Sequence, residues 1–185
     1  MGYGTVAELQ KRLTRDGLSP LPDEPTCQGY LDDAQDLIDG FCRRDFLDHP
    51  DDTLTLEGKG LESLLMSHPL RSVSAVSVDG LDLTADELAA LTVVPYGVIR
   101  GYRFPLGSVV KITCSWGYED VPARILKASM TLASRIARYR AIREKRAQGL
   151  RSQSVEGVAV SLDPEQMDGD VARLLALYVK RRAAR

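Results

Sequence analysis

A long helical stretch opens at Val121-Pro122 and runs to about Arg146, and it sets the terms for the rest of the chain. Proline is tolerated in a first helical turn, where the amide donors have no intrahelical partner. At about 100° per residue, Ile125, Leu132, Ala133, Ile136 and Tyr139 fall on one side, and Arg124, Lys127, Arg135, Arg138, Lys145 and Arg146 on the opposite one. A helix with one apolar stripe needs other elements to cover that stripe. Beyond Tyr139 the stripe is interrupted by Arg140 and Arg143, so the last turns are expected to project past the chain's own core and to serve as an interface.

Candidate covering elements lie at both ends. Thr5-Val-Ala-Glu8 has the capping-box spacing, followed by Leu9 and Leu13, which predicts a short helix ending near Gly17. The segment from Leu18 to Pro25, with Pro20, Pro22 and Pro25, reads as a linker, because proline removes a donor and turns its predecessor away from the α region. From Thr26, Tyr30, Ala34, Leu37, Ile38 and Phe41 recur at helical spacing, with Asp32, Asp33, Asp36 and Asp39 on the remaining surface. Asp23 and Glu24 before this helix and Arg43 and Arg44 after it suit its macrodipole. Near the other end, Asp163-Pro-Glu-Gln166 has a second capping signature. Met167, Val171, Leu174, Leu175 and Tyr178 then predict a terminal helix closed by Lys180, Arg181 and Arg182. Residues 147–162 read as a flexible connector.

Between Thr53 and Tyr118 the pattern changes to short β-rich runs broken by Gly and Pro. Ser72 to Val78, the turn pair Asp79-Gly80 and Leu81 to Thr84 predict a hairpin. Leu91 to Val94, Val98 to Arg100 and Val109 to Trp116 read as further strands, with Val110, Ile112, Cys114 and Trp116 on one face, and Asp86 to Ala90 as a brief helical turn. The expected fold class is therefore α+β, mainly α: a helical core with an inserted small antiparallel β subdomain, 1–185 forming a single domain.

Chemistry-bearing motifs are sparse. His49 and His68, beside Pro50 and Pro69, read as surface polar residues rather than ligands. Asp45, Asp48, Asp51 and Asp52 lack the spacing of a calcium loop and read as a solvated loop. Gly58-Lys59-Gly60 lacks the phosphate-loop pattern and reads as a tight turn. The odd, scattered set Cys27, Cys42 and Cys114 reads as buried thiols suited to a reducing compartment. No catalytic residue, cofactor or metal is expected, and no apolar run has the length of a membrane span. The N-terminal stretch has no basic segment followed by an apolar one, so neither a membrane nor a secretory role is expected.

Charge is distributed unevenly. Through Asp120 there are 10 Lys/Arg against 20 Asp/Glu, a balance of −10; from Val121 onward there are 14 against 6, a balance of +8. Three readings fit the basic helix face: a solvated surface, a sequence-independent contact with DNA phosphates, or a contact with the Asp-rich second helix of a neighbouring copy. The residues singled out for an interface are Arg135, Arg138, Arg140, Arg143, Lys145, Arg146, Asp32, Asp33, Asp36, Lys180, Arg181 and Arg182.

The order of these pieces resembles the head-to-tail connector, or adaptor, proteins of long-tailed bacteriophages. The resemblance is carried by the early helix after Tyr3-Gly-Thr5, the helix from Tyr30-Leu-Asp-Asp-Ala34 through Phe41-Cys-Arg-Arg-Asp-Phe46, and the hairpin from Pro69-Leu-Arg-Ser-Val73 through Val78-Asp-Gly80. Val109-Val-Lys-Ile-Thr113, Trp116-Gly-Tyr118, Val121-Pro122 and the Ala-rich helix from Ala123 to Tyr139 continue it, and the basic ending from Leu174-Leu-Ala-Leu-Tyr178 to Arg182 completes it. The resemblance implies a non-enzymatic virion protein made in the host cytoplasm, forming a ring, usually twelve-fold, beneath the portal. It further implies contacts with portal, with sibling subunits and with the next neck or tail-completion protein.

Overall fold

The computed structural model describes residues 2–66, 68–94, 97–147 and 169–179, with the backbone alone at 145–147. The expected connector 147–162, apart from the backbone of its first residue, the capping signature at Asp163, Met167, and Lys180, Arg181 and Arg182 lie outside the described residues, as do the side chains of Lys145 and Arg146. Two compact units form, residues 1–45 with 121–185, and residues 46–120.

The first unit is helical. α1 (Val6–Arg15) starts at a complete capping box: the Thr5 hydroxyl accepts from the Glu8 amide while the Glu8 carboxylate accepts from the Thr5 amide. α2 (Glu24–Cys42) starts two residues earlier than the sequence pattern indicates, because Asp23 is the cap and accepts from the Thr26 amide at 3.1 Å. Pro25 then sits in the first turn, where no donor is missed. Arg43, at φ 56°, closes the helix in the left-handed region.

α4 (Ala123–Ala147) begins where Pro122 accepts from the amides of Ile125 and Leu126. Its buried residues are Ile125, Ala128, Ser129, Leu132, Ala133, Ser134, Ile136 and Ala137. Five of these eight are Ala or Ser, which lets neighbouring helices approach closely on more than one side. α1, α2 and α5 (Gly169–Leu175) all pack on α4. Leu9, Leu13, Leu31, Ile38, Val171 and Leu175 cover it, each almost wholly buried; burying a side chain of this kind contributes about 1.5–3 kcal/mol. α5 ends at Leu175 in a turn closed by the Tyr178 amide on the Leu175 carbonyl, so the terminal helix stops before Tyr178.

The second unit overturns the expected fold class. Instead of one small sheet there are, among the described residues, seven strands in two antiparallel sheets around their own core, and the chain is a sheet-rich α+β protein. β1 (Asp48–Glu57), β7 (Val109–Gly117), β3 (Leu70–Val78) and β4 (Leu81–Asp82) form one sheet in the order β1-β7-β3-β4. β2 (Leu61–Leu65), β6 (Val98–Phe104) and β5 (Thr92–Val94) form the other, in the order β2-β6-β5. The short α3 (Ala85–Ala89) stands on its own capping box from Thr84 and Glu87. Leu64, Ile99 and Phe104 from one sheet, with Met66 just past β2, meet Val76, Val110, Ile112, Cys114 and Trp116 from the other in one cluster.

β1 and β2 are the strands that the sequence pattern did not reveal. The acidic run expected to be a solvated loop is instead the start of an edge strand, with Asp48 opposite Gly117. A bulge between His49 and Asp52 and a positive φ at Asp51 interrupt its ladder. Charge, proline and a bulge are common on edge strands because they discourage pairing with another chain.

Candidate assembly surface

α4 is encircled rather than two-faced, and this changes the meaning of its basic residues. The positions opposite the Ile125–Ile136 stripe do not all face solvent, because Asp16, just past α1, and Asp170 on α5 each meet an arginine there, while Asp33 on α2 meets Arg140 at the stripe's end. Arg135 donates to Asp170 at 2.6 Å, and that hydrogen bond holds the Asp170 carboxyl below its ordinary range. Arg138 pairs with Asp16, just past the end of α1. Arg140 donates to Asp33 on α2 at 2.6 Å and lies over the Tyr30 ring, 5.2 Å from its centroid.

Asp16 is a shared acceptor. Besides Arg138 it has Arg12 at 3.9 Å and Arg15 at 3.8 Å, and its side chain is only 18% exposed. The Arg12 guanidinium also donates to the Thr131 hydroxyl at 3.2 Å. Burial lowers the Arg12 pKa from its ordinary value, an effect opposed by Asp16. No sequence pattern marks Asp16 or Asp170 as a partner of α4. A lone acid just after one helix and another in the first turn of a second give no signal until the helices are placed side by side.

The helix was expected to project beyond Tyr139, yet Arg140 still touches Tyr30 and Asp33 of the same chain. Arg143 is exposed, with its guanidinium 5.8 Å from the Tyr139 ring centroid. On α2, Asp33 is half-buried by Arg140, while Asp32 and Asp36 face outward; Asp32 accepts from Gln28 at 2.8 Å. Thus the structure brings Arg140 and Asp33 together within one chain and leaves Arg143, Asp32 and Asp36 on the surface.

Two clefts flank the α1/α4 seam. One, about 490 Å³, is lined by Arg12, Lys127, Thr131, Arg135, Arg138 and Asp170, among others. The next, about 500 Å³, shares Arg12 and Lys127 and adds Gly4, Lys11, Arg15, Leu126 and Met130. Their donors are guanidinium, ammonium and hydroxyl groups, which bind carboxylates and other anions.

The remaining reactive groups are packed away. Cys27, Cys42 and Cys114 are buried free thiols; desolvation pushes Cys42 up to about 12 and Cys114 to about 11. Such thiols stay protonated and unreactive at neutral pH. Desolvation also raises the Asp39 carboxyl to about 6, although it accepts a hydrogen bond from the buried Tyr3 hydroxyl at 2.5 Å. In the β unit both histidines pack on Trp116, His49 stacked at 3.7 Å and His68 tilted at 4.1 Å, and the indole nitrogen donates to Asp52 at 2.9 Å. Among the described residues, no three His, Cys, Asp or Glu side chains come close enough to hold a metal ion, and no helix is long and apolar enough to cross a membrane.

No family model and no curated protein matches the sequence. In fold, the chain is similar to a chain from the neck of an empty GTA particle computed with C6 symmetry. The TM-score is 0.57, covering 97% of this chain and 90% of that one, at 16% identity. At that identity the similarity establishes a common fold, carried along nearly the whole length of both chains.

Proposed function

We propose that this chain is a structural, non-enzymatic subunit of the neck of a bacteriophage-like particle. In this reading several copies close into a ring, twelve-fold in the virion, assembled in the host cytoplasm. The ring joins the portal of the DNA-filled head to the next neck or tail-completion protein. The observation that carries the reading is the fold shared with a neck chain of a phage-like gene transfer agent across 97% of this chain, so helical and β units alike have counterparts there. The C6 symmetry of that particle is compatible with a twelve-membered ring, whose symmetry contains six-fold rotation. The sequence resemblance to head-to-tail connectors points to the same class independently of the fold.

In this reading the exposed Arg143 is available to partners, and Lys145, Arg146, Lys180, Arg181 and Arg182, singled out from the sequence alone, are proposed for the same interface. Arg135, Arg138 and Arg140 hold the subunit together. Size-exclusion chromatography with light scattering, on the protein alone and mixed with its portal, tests the proposal. A ring or a portal complex is expected; a monomer that never assembles or binds portal would falsify it.

A further inference from the structure

The α1/α4 groove has an electrostatic counterpart on the same unit. Along its rim stand Lys11 and Arg15 on α1 and Lys127 on α4, all exposed. Lys11 and Lys127 have no carboxylate partner among the described residues. The floor, at Gly4, Leu126 and Met130, is largely apolar. Glu8, the acid at the groove's edge, is committed to the cap of α1.

α2 presents the complement. Glu24, Gln28, Asp32 and Asp36 are all exposed and follow one another at four-residue steps, forming an acidic row on the surface that α2 turns away from its own core. Of these, Asp32 and Asp36 have no cation partner among the described residues. Their spacing of one helical turn, about 6 Å along the axis, equals that of Lys11 and Arg15.

We propose that the α1/α4 groove of one copy receives the acidic row of α2 from a neighbouring copy. The proposal rests on the ring reading and names its subunit contact. Groove and row lie on different helices, so each copy gives one and receives the other. Made once at each boundary between copies, such a head-to-tail contact propagates around a ring; made twice between the same two copies it closes a pair, and the mass from light scattering separates the two, a dimer overturning the ring contact. The arginines expected to make this contact, Arg135 to Arg140, are replaced in the role by Lys11, Arg15 and Lys127, because the former are satisfied within the chain.

Charge reversal gives the contact a diagnostic rescue. Lys11→Glu with Lys127→Glu makes groove and row both acidic; Asp32→Lys with Asp36→Lys makes both basic. Each variant alone should assemble at least roughly ten-fold less well than the parent by light scattering. An equal mixture should recover assembly, since the two variants alternate around an even-numbered ring. A fold defect is not rescued by mixing, and circular dichroism of each variant checks that it is folded. As a second readout, mixing Asp36→Cys with Lys127→Cys under mild oxidation should give a disulfide-linked heterodimer that neither gives alone. An oligomer that both reversals leave intact overturns the contact while sparing the ring reading. So does a groove whose reversal abolishes only salt-sensitive binding of a DNA duplex. A protein monomeric at every concentration, with and without portal, overturns both.

Discussion

Arg140 donates to Asp33 at 2.6 Å across 107 positions of sequence, and the same guanidinium covers the Tyr30 ring. The two residues tie α4 to α2 where the apolar stripe of α4 gives out. Both side chains are about half exposed, so the ion pair contributes about 0.5–1 kcal/mol and the ring contact a similar amount. A double-mutant cycle with Arg140→Ala and Asp33→Ala, read by urea denaturation, should return a coupling of about 0.5–1 kcal/mol. A coupling of zero would remove this link from the fold.

Asp16 carries a heavier electrostatic duty, since Arg12, Arg15 and Arg138 converge on it and it is largely buried. Asp16→Ala leaves guanidinium groups uncompensated and should cost about 1–3 kcal/mol. Arg138→Glu places like charges together and should cost at least as much, whereas Arg143→Glu, on an exposed side chain, should stay within about 0.5 kcal/mol. Thermal melts of the three variants check the order; equal stability of Arg138→Glu and Arg143→Glu contradicts it.

A pH dependence follows from Asp39. Its carboxyl, raised by burial from an ordinary 3.8 to about 6, binds a proton more tightly in the folded chain than in the unfolded one. Its contribution is therefore full below about pH 4 and is lost as pH rises through about 6. Asp39→Asn keeps an acceptor for the Tyr3 hydroxyl without the buried charge. Relative to the parent, it should gain about 1–2 kcal/mol between pH 4 and pH 7.5. Denaturation at the two pH values decides, and a constant difference between variant and parent rules the effect out.

The thiols offer a check on packing. With Cys42 at about 12 and Cys114 at about 11, against an ordinary 9.0, the native protein should react with an aromatic disulfide reagent at pH 8 about a hundred-fold or more slowly than in denaturant. Rapid labelling of the folded protein would show that these sites open.

Gly117 occupies φ 90°, and a Cβ there would collide with the Leu47 carbonyl oxygen. Gly117→Ala is expected to lose about 2 kcal/mol or more, and fluorescence of the chain's single tryptophan, the adjacent Trp116, follows the loss during denaturation. Parent-like stability would mean that the backbone around Leu47 yields.

Much of the local structure was legible because periodicity reports burial directly. Val110, Ile112, Cys114 and Trp116 alternate and are all buried, and Asp79-Gly80, with φ 52° and 84°, makes the turn its dipeptide implies. β1 was hidden because an edge strand with a bulge, a proline and three aspartates has the composition of a loop, and its identity depends on β7 beside it. β2 followed an expected turn but had too few residues for a period to emerge. The partners of the candidate site's arginines were hidden for a related reason. A helical wheel separates the faces of α4 but does not say how many neighbours surround it. Asp16, Asp33 and Asp170 become partners only once three other helices are in place.

The pairing of Asp48 with Gly117 bears on how such a chain reaches its native state. The α2 to α4 contacts join segments separated by the whole β unit, and closing so long a loop from an open chain is entropically costly and slow. β1 and β7, the first and last strands of that unit, pair antiparallel and bring its two ends side by side. Once this ladder has zipped, the intervening stretch acts as a short tether, and α2 meets α4 as though the two were close neighbours in sequence.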